Sequence, residues 1–124
     1  MNNVYIMSAN RSAIGGFGGT LKNHCPVDLG TLVAKEAIAR SGYEANEVEH
    51  AVFGNVIHTE PRDMYVSRVI ALQAGMDKAS AALTVNRLCG SGLQAIVSAS
   101  QIIMLGDASV AMAGGVEVMS NGAH

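Results

Sequence analysis

The sequence predicts an α/β fold with a mostly parallel sheet, and three observations support this prediction. Short apolar runs alternate with longer segments whose apolar residues recur at helical spacing. The order of these segments is βαβαβαβ, and strands that alternate with helices usually form a parallel sheet with right-handed crossovers. Glycines stand where the predicted helices end. A length of 124 residues is enough for one compact domain and too short for two.

The first strand and the first helix are predicted on either side of a glycine-rich loop. The run Val4–Ala9 is short and mostly apolar, which favours a strand buried on both faces. The loop over residues 10–27 lacks the Lys-Ser/Thr and the dinucleotide spacing of phosphate-binding loops, so we interpret it as a packing loop. A helix then extends from about Pro26 to Arg40, with Gly42 as its C-cap.

The second strand is predicted over residues 48–56, where Gly54 leaves room for a close approach of another backbone. The most polar cluster of the chain follows it: His58, Glu60, Arg62 and Asp63. A metal or acid–base site is one interpretation of this cluster. Ion pairs between Arg62 and the neighbouring carboxylates are the simpler one, and we favour it. A second helix begins at Asp63 and ends at Gly75.

The last third of the chain contains two predicted strands around an apolar helix. Residues 82–85 form a short, buried, central strand, and residues 109–118 form the last strand. Between them a helix extends from about Leu88 to Leu105 and ends at Gly106. This helix carries almost no charge and is apolar nearly all round, so we expect it to be fully buried.

Cys89 lies at the predicted junction between the third strand and this apolar helix. A sharp strand-to-helix turn that holds a nucleophile needs small neighbours, which Gly90 and Gly92 supply. The first turn of a helix offers unpaired N–H groups and a positive dipole end, and both favour a thiolate. An inert cysteine beside a helix cap is the alternative. The glycines and the strand-to-helix setting favour a nucleophile.

Composition limits the partners of the chain. Hydrophobic residues make up 49% of it and charged residues 15%, against about 25% charged residues in typical domains. We therefore expect part of the surface to be covered by a partner, a second copy or further sequence. A net charge of −2 without a basic cluster argues against nucleic acid. We find no apolar run of the roughly 18–20 residues that span a membrane, and no signal sequence, so the predicted location is the cytoplasm.

Four segments carry more specific sequence patterns: residues 84–95 (TVNRLCGSGLQA), 11–19, 54–64 and 114–120. Along the chain they follow in the order 11–19, 54–64, 84–95 and 114–120, and in that order they resemble motifs of the thiolases, the family of acetyl-CoA acetyltransferases and 3-ketoacyl-CoA thiolases. The form of residues 54–64 is similar to bacterial β-ketothiolases. The resemblance implies a thiolase-like fold with two layered halves, of which residues 1–124 are an incomplete N-terminal thiolase domain. The loop domain and the C-terminal half then lie outside this sequence.

The resemblance also implies a reaction. Two acetyl-CoA molecules condense to acetoacetyl-CoA and CoA, or a 3-ketoacyl-CoA is cleaved, through an acyl thioester on Cys89. The backbone N–H of Cys89 is one expected oxyanion donor. Coenzyme A enters only as part of the substrate, and we assign no further cofactor, no cofactor-binding residue and no metal. The base and the second cysteine of the family map onto no residue here, including Cys25 and the histidines: His24, His50, His58 and His124. An isolated chain is therefore expected to be inactive.

The resemblance implies a homodimer or tetramer with residues 84–88 at the interface, or a companion C-terminal fragment. Two alternatives remain: a catalytically silent thiolase-fold subunit that binds acyl chains or acts as a scaffold, and a ketoacyl synthase-like condensing enzyme. The cysteine in the turn argues against the first, and the Asn-Arg-Leu-Cys-Gly-Ser-Gly segment fits thiolases better than the second. Acyl chain length and the direction of the reaction stay open.

Overall fold

Three helices alternate with three strands in the computed structural model, which describes residues 3–123. The elements are α1 (Pro26–Ser41), β1 (His50–Gly54), α2 (Val66–Gln73), β2 (Ala81–Val85), α3 (Ser91–Leu105) and β3 (Ala111–Gly115). Short 3-10 turns cover residues 45–47, 61–65 and 119–121. The predicted α/β class and the parallel arrangement are confirmed.

The sheet has the strand order β2-β1-β3, and both pairs of strands are parallel. The strands start and end in step, because His50 pairs with Ala81 and Ala111 while Gly54 pairs with Val85 and Gly115. The carboxyl ends of all three strands therefore lie at one edge of the sheet. The segments that follow the strands meet at this edge, which is where ligands bind in open parallel sheets.

The two faces of the sheet are packed differently. On one face α1 and α2 enclose a core around Phe53 that includes these buried residues: Val27, Ala34, Val66, Ile70 and Met112. On the other face α3 contributes Ala95 and Ala99, which pack against Val52. Neighbouring strand residues point to opposite faces, so Phe53 packs against α1 and α2 while Val52 packs against α3.

The predicted ends of two helices are confirmed. Gly42 and Gly106 follow α1 and α3 with φ of 83° each, a left-handed conformation that glycine adopts without steric penalty. Pro26 occupies the first turn of α1, where its missing N–H would have no helical partner. Local sequence was sufficient here because a helix cap depends on one or two residues.

The predicted strand over Val4–Ala9 is wrong. The segment is irregular, and the side chains of Tyr5 and Ile6 are 75% and 79% exposed. It lies along α1, where the Ser8 hydroxyl donates to the carbonyl of Ala37 and the Asn10 amide donates to that of Val33. A strand needs a neighbouring strand for its backbone hydrogen bonds, and this run has none among residues 3–123. The order of elements in that range is αβαβαβ.

Two predictions about burial are also wrong. β2 lies at the edge of the described sheet rather than at its centre, and its residues are exposed or half-buried. In α3 only Ser91, Ala95 and Ala99 are buried. Several apolar side chains of this helix face away from the sheet, and we call them the outer face of α3: Leu93, Ile96, Val97, Met104 and Leu105. The apolar sequence shows that this helix can be buried on several sides, but it does not show what covers each side. Within residues 3–123 no second layer covers the outer face of α3.

One segment of the described chain, Leu88–Leu105, is long and apolar enough to span a membrane by length and composition alone. The expectation that no run reaches this length was therefore wrong. The helix itself has 15 residues, which at the usual rise gives about 22 Å, short of the roughly 30 Å of a bilayer core. Since Ala95 and Ala99 pack on the sheet, α3 is a layer of this fold.

Candidate active site

Cys89 lies in a short turn between β2 and α3, at the carboxyl edge of the sheet. We call residues 86–91 the Cys89 turn. β2 ends at Val85, Gly90 is the N-cap of α3, and the thiol residue is exposed and free. The predicted strand, turn and helix are thus confirmed, although α3 begins three residues after the predicted Leu88. The Cys89 N–H has no acceptor among residues 3–123, so it remains able to donate to a bound group.

Hydrogen bonds within the Cys89 turn hold its backbone. The Ser91 hydroxyl accepts the N–H of Arg87 at 2.8 Å and donates to the carbonyl of Leu88 at 2.6 Å. The N–H groups of Gly90 and Ser91 donate to the carbonyls of Arg87 and Leu88, both at 3.0 Å. The Leu88 N–H donates to the side-chain oxygen of Asn86 at 3.1 Å. The turn therefore closes on itself with Cys89 exposed at its outside.

Leu88, directly before Cys89, has an unusual backbone conformation. Its φ of 49° is the one positive φ at a non-glycine residue in the described range. For a branched side chain this conformation costs on the order of 1 kcal/mol or more. Its side chain is 69% exposed, so apolar burial of Leu88 does not offset the cost. Such strain persists where the surrounding hydrogen bonds over-determine it, and it is concentrated at functional sites.

The sheet supports the turn from below through Gly54, the last residue of β1. A Cβ at Gly54 would lie 2.7 Å from the Ser91 Cβ and 2.9 Å from its carbonyl carbon. The predicted close approach at Gly54 is confirmed. The prediction that the turn needs residues without a Cβ at positions 90 and 92 is wrong within residues 3–123, because a Cβ at Gly92 would meet nothing within 4 Å and one at Gly90 only ordinary contacts.

A second group of contacts fastens the same edge of the sheet, and sequence reasoning assigned no role to it. Asn55 is fully buried; its N–H donates to the carbonyl of Val85 and its amide donates to that of Val116. The Glu117 carboxylate accepts the N–H groups of Val56 and Ile57, the latter at 2.6 Å. These contacts join the ends of β1, β2 and β3 beside the Cys89 turn. Asn55 and Glu117 are 62 positions apart, and no local pattern links them.

The polar cluster after β1 is structural. The Asp63 carboxylate is fully buried and accepts the N–H groups of Thr59 and Glu60 at 2.7 and 3.1 Å, so it caps the 3-10 turn that begins at Pro61. Arg62 pairs with Glu60 at 2.8 Å, as predicted, but not with Asp63. Residues 3–123 contain no group of three metal-ligating side chains, so the metal interpretation has no support in that range.

Cys25, the other cysteine, is partly buried at the N-cap of α1. Burial raises the pKa of its thiol above the ordinary value, and a hydrogen bond to Asp28 and the charges of Asp28 and Glu60 raise it further. The Arg62 guanidinium donates to Sγ at 3.6 Å. These surroundings favour the protonated, less reactive form of Cys25.

None of the described histidines forms a hydrogen bond with Cys89. His50 begins β1, so it lies at the amino end of the strand, opposite the edge that carries Cys89. His24 and His58 are exposed, and the backbone carbonyl of His24 accepts the Asn121 amide. His124 lies outside the described residues.

Comparison with known proteins identifies this arrangement. Residues 4–124 match the family model described as thiolase, N-terminal domain. The chain is 59% identical over 117 residues to Beta-ketothiolase BktB of Cupriavidus necator, covering 94% of this chain and 30% of that protein. It superposes on the crystal structure of the Bacillus anthracis acetyl-CoA acetyltransferase with a TM-score of 0.90 and 43% identity, covering 95% and 30% of the two chains. For the Acat5 thiolase of Ascaris suum in complex with coenzyme A, the TM-score is 0.91 at 36% identity, covering 96% and 31%. The chain thus spans about 30% of the length of these relatives.

Proposed function

The chain belongs to the thiolase family, and on this premise we propose that it carries the nucleophile of an acyltransferase, Cys89, which forms an acyl thioester during the synthesis or cleavage of a 3-ketoacyl-CoA. The proposed condensation joins two acetyl-CoA molecules to acetoacetyl-CoA and CoA. One observation carries the proposal: an exposed thiol lies in a strained strand-to-helix turn whose own N–H is free to donate. Residues 84–95 resemble the nucleophile motif of thiolases, and this resemblance also assigns the nucleophile to Cys89.

The first step follows from the position of Cys89. Its sulfur attacks the carbonyl carbon of acyl-CoA, and the carbonyl electron pair moves onto oxygen. The N–H of Cys89 stabilises this oxyanion. When the tetrahedral intermediate collapses, the bond from carbon to the sulfur of CoA breaks, and CoA leaves as a thiol with the proton that the Cys89 thiol gave up on attack. The acyl group remains on Cys89 as a thioester, which keeps it reactive toward the carbanion of the second substrate.

Formation of that carbanion needs a base, and within residues 3–123 neither a histidine nor the Cys25 thiol forms a hydrogen bond with Cys89. We therefore propose that residues 1–124 are the N-terminal part of a two-half enzyme and that a C-terminal half, on the same polypeptide or on a companion, supplies the base. The uncovered outer face of α3 and the 30% coverage of the relatives support this. Coenzyme A is part of the substrate in this proposal, in keeping with the complex that the Ascaris suum thiolase forms with coenzyme A.

The edge position of β2 supports a homodimer or tetramer. β2 pairs only with β1 in the described sheet, so the hydrogen-bonding groups on its outer edge are available to another strand. Leu83 on this strand is 43% exposed. We propose that the edge over residues 81–88 meets a second copy of the chain, in the cytoplasm.

Acylation of Cys89 tests the proposed chemistry directly. The protein as its source produces it is incubated with acetyl-CoA, and peptides are mapped by mass spectrometry. We expect one acetyl group on Cys89 and none on Cys25, with hydroxylamine removing it as it does other thioesters. A Cys25→Ala variant should acylate normally and a Cys89→Ala variant not at all. No acylation of Cys89 would contradict the proposal and favour the silent scaffold, whereas a requirement for malonyl-CoA in condensation would favour a ketoacyl synthase.

The intact mass under denaturing conditions tests the two-half arrangement. A single species near 12.8 kDa without turnover, which becomes active only with a companion chain, would support it. A species about three times larger with thiolase turnover would mean that both halves lie on one polypeptide. Turnover by a purified 12.8 kDa species alone would overturn it.

A further inference from the structure

The Ser91 hydroxyl connects both sides of the Cys89 turn. It accepts the N–H of Arg87 at 2.8 Å and donates to the carbonyl of Leu88 at 2.6 Å. These two groups lie on either side of the peptide bond that enters Leu88. We propose that Ser91 is a positioning residue for Cys89, which rests on the proposed acyl transfer at that cysteine.

The strained backbone of Leu88 explains why such a clamp is needed. The direction of the Cys89 N–H and of its side chain follows from the conformation of the residue before it. Leu88 has a φ of 49°, and a leucine released from this region moves to negative φ, which its side chain favours. That movement would turn the Cys89 N–H and sulfur away from their present directions. Ser91 opposes this movement, because its hydroxyl bonds both the N–H of Arg87, before Leu88, and the carbonyl of Leu88 itself.

Ser91 is itself firmly held. It is 5% exposed, and the backbone of β1 packs against its Cβ at the point where Gly54 has no side chain. The sheet therefore holds Ser91 from outside the turn, in addition to the hydrogen bond from the Ser91 N–H to the Leu88 carbonyl. The Leu88 carbonyl also accepts the Ser91 N–H, but the Arg87 N–H has no other acceptor in the described turn, so only the hydroxyl joins the two groups.

A Ser91→Ala variant tests the proposal because it keeps the Cβ packed on Gly54 and removes only the hydroxyl. Two rates are measured on the full chain in its native assembly: acylation of Cys89 by acetyl-CoA and alkylation of Cys89 by iodoacetamide. Misplacement of a reacting group by about 1 Å lowers rates by up to about a hundredfold, so we expect acylation and kcat to fall by about tenfold or more with little change in KM. Alkylation by a small reagent needs no oxyanion donor and should stay within about twofold.

Ser100→Ala is the matched control. Ser100 lies in the same helix and its hydroxyl donates to the carbonyl of Ile96, away from the turn. This variant should keep both rates. Thermal melting of each variant shows that the fold persists.

A second variant separates positioning from general loosening of the structure. Glycine adopts positive φ without steric penalty, so Leu88→Gly in the Ser91→Ala background should recover part of the lost acylation rate. Normal acylation by Ser91→Ala, or a double variant no faster than Ser91→Ala, would overturn the role of Ser91 while leaving the proposed function intact. A wild-type protein that does not acylate at Cys89 would overturn both.

Discussion

Both cysteines of this chain lie at the start of a helix, but Cys25 is partly buried and Cys89 is exposed. Cys25 is the N-cap of α1, partly buried among Asp28, Glu60 and Arg62, and its pKa is raised. Cys89 precedes the N-cap of α3 in an exposed turn braced by the sheet. Position at a helix N-terminus therefore does not by itself decide how exposed a thiol is. The accessible thiol and the fixed backbone around it distinguish Cys89.

The largest expected difference between the two sites is catalytic. We expect Cys89→Ala to reduce turnover by the native assembly by about 10³-fold or more, because loss of a nucleophile removes the covalent route. Cys25→Ala should stay within about threefold, since Cys25 only caps a helix and packs beside Arg62. Steady-state cleavage of acetoacetyl-CoA measures both. Equal losses of turnover in Cys89→Ala and Cys25→Ala would contradict the assignment of the nucleophile to Cys89.

The second prediction concerns the support that β1 gives to the Cys89 turn at Gly54. Gly54→Ala places a Cβ 2.7 Å from the Ser91 Cβ, and such overpacking lowers the free energy of unfolding by about 1–3 kcal/mol. Gly92→Ala is the matched control because a Cβ there meets nothing within 4 Å. Urea unfolding followed by circular dichroism compares the two. Equal stability of both variants would mean that the sheet does not hold the turn.

The third prediction uses the raised pKa of Cys25. At neutral pH, iodoacetamide should modify Cys89 about tenfold or more faster than Cys25, because Cys25 is partly buried and mostly protonated. As the pH rises toward the raised pKa of Cys25, its thiolate fraction grows and its alkylation accelerates. Peptide mapping across a pH series measures both rates. A rate at Cys25 that is independent of pH would contradict this explanation.

Local features of the sequence were enough to predict much of this comparison. The glycine caps at Gly42 and Gly106, the parallel strands and the turn that carries Cys89 each depend on a few neighbouring residues or on simple periodicity. The α/β class and the family resemblance followed from these patterns. The structure and the comparisons confirm both.

Predictions that depended on distant contacts were less successful. The apolar runs at Val4–Ala9 and in α3 showed that these segments can be buried, but periodicity does not show what covers them. In the described range many of their apolar side chains are exposed. The close approach at Gly54 was predicted, but its partner Ser91, 37 positions away, was not. The contacts of Asn55 with Val116 and Glu117, more than 60 positions away, were not predicted either. Such pairs exist only once the strands align at one edge.

The smallest expected effect is the most specific test of what raises the pKa of Cys25. Asp28→Asn removes one of the charges that raise the Cys25 pKa while keeping a similar shape. We expect the pKa to move down toward its ordinary value and alkylation of Cys25 at neutral pH to rise by a few-fold, because more of the thiol is ionised. The rise is limited because burial, the largest cause of the shift, remains.

Glu36→Gln is the control for this last variant, since it also removes an acidic charge from α1 but one that pairs with the exposed Arg40. Alkylation of Cys89 should be the same in both variants and in the wild type. A rise at Cys25 in Glu36→Gln equal to that in Asp28→Asn would mean that the total charge of α1 controls the thiol. A rise only in Asp28→Asn would show that one adjacent carboxylate helps to keep the cysteine at the start of α1 inert, while the exposed cysteine before α3 stays reactive.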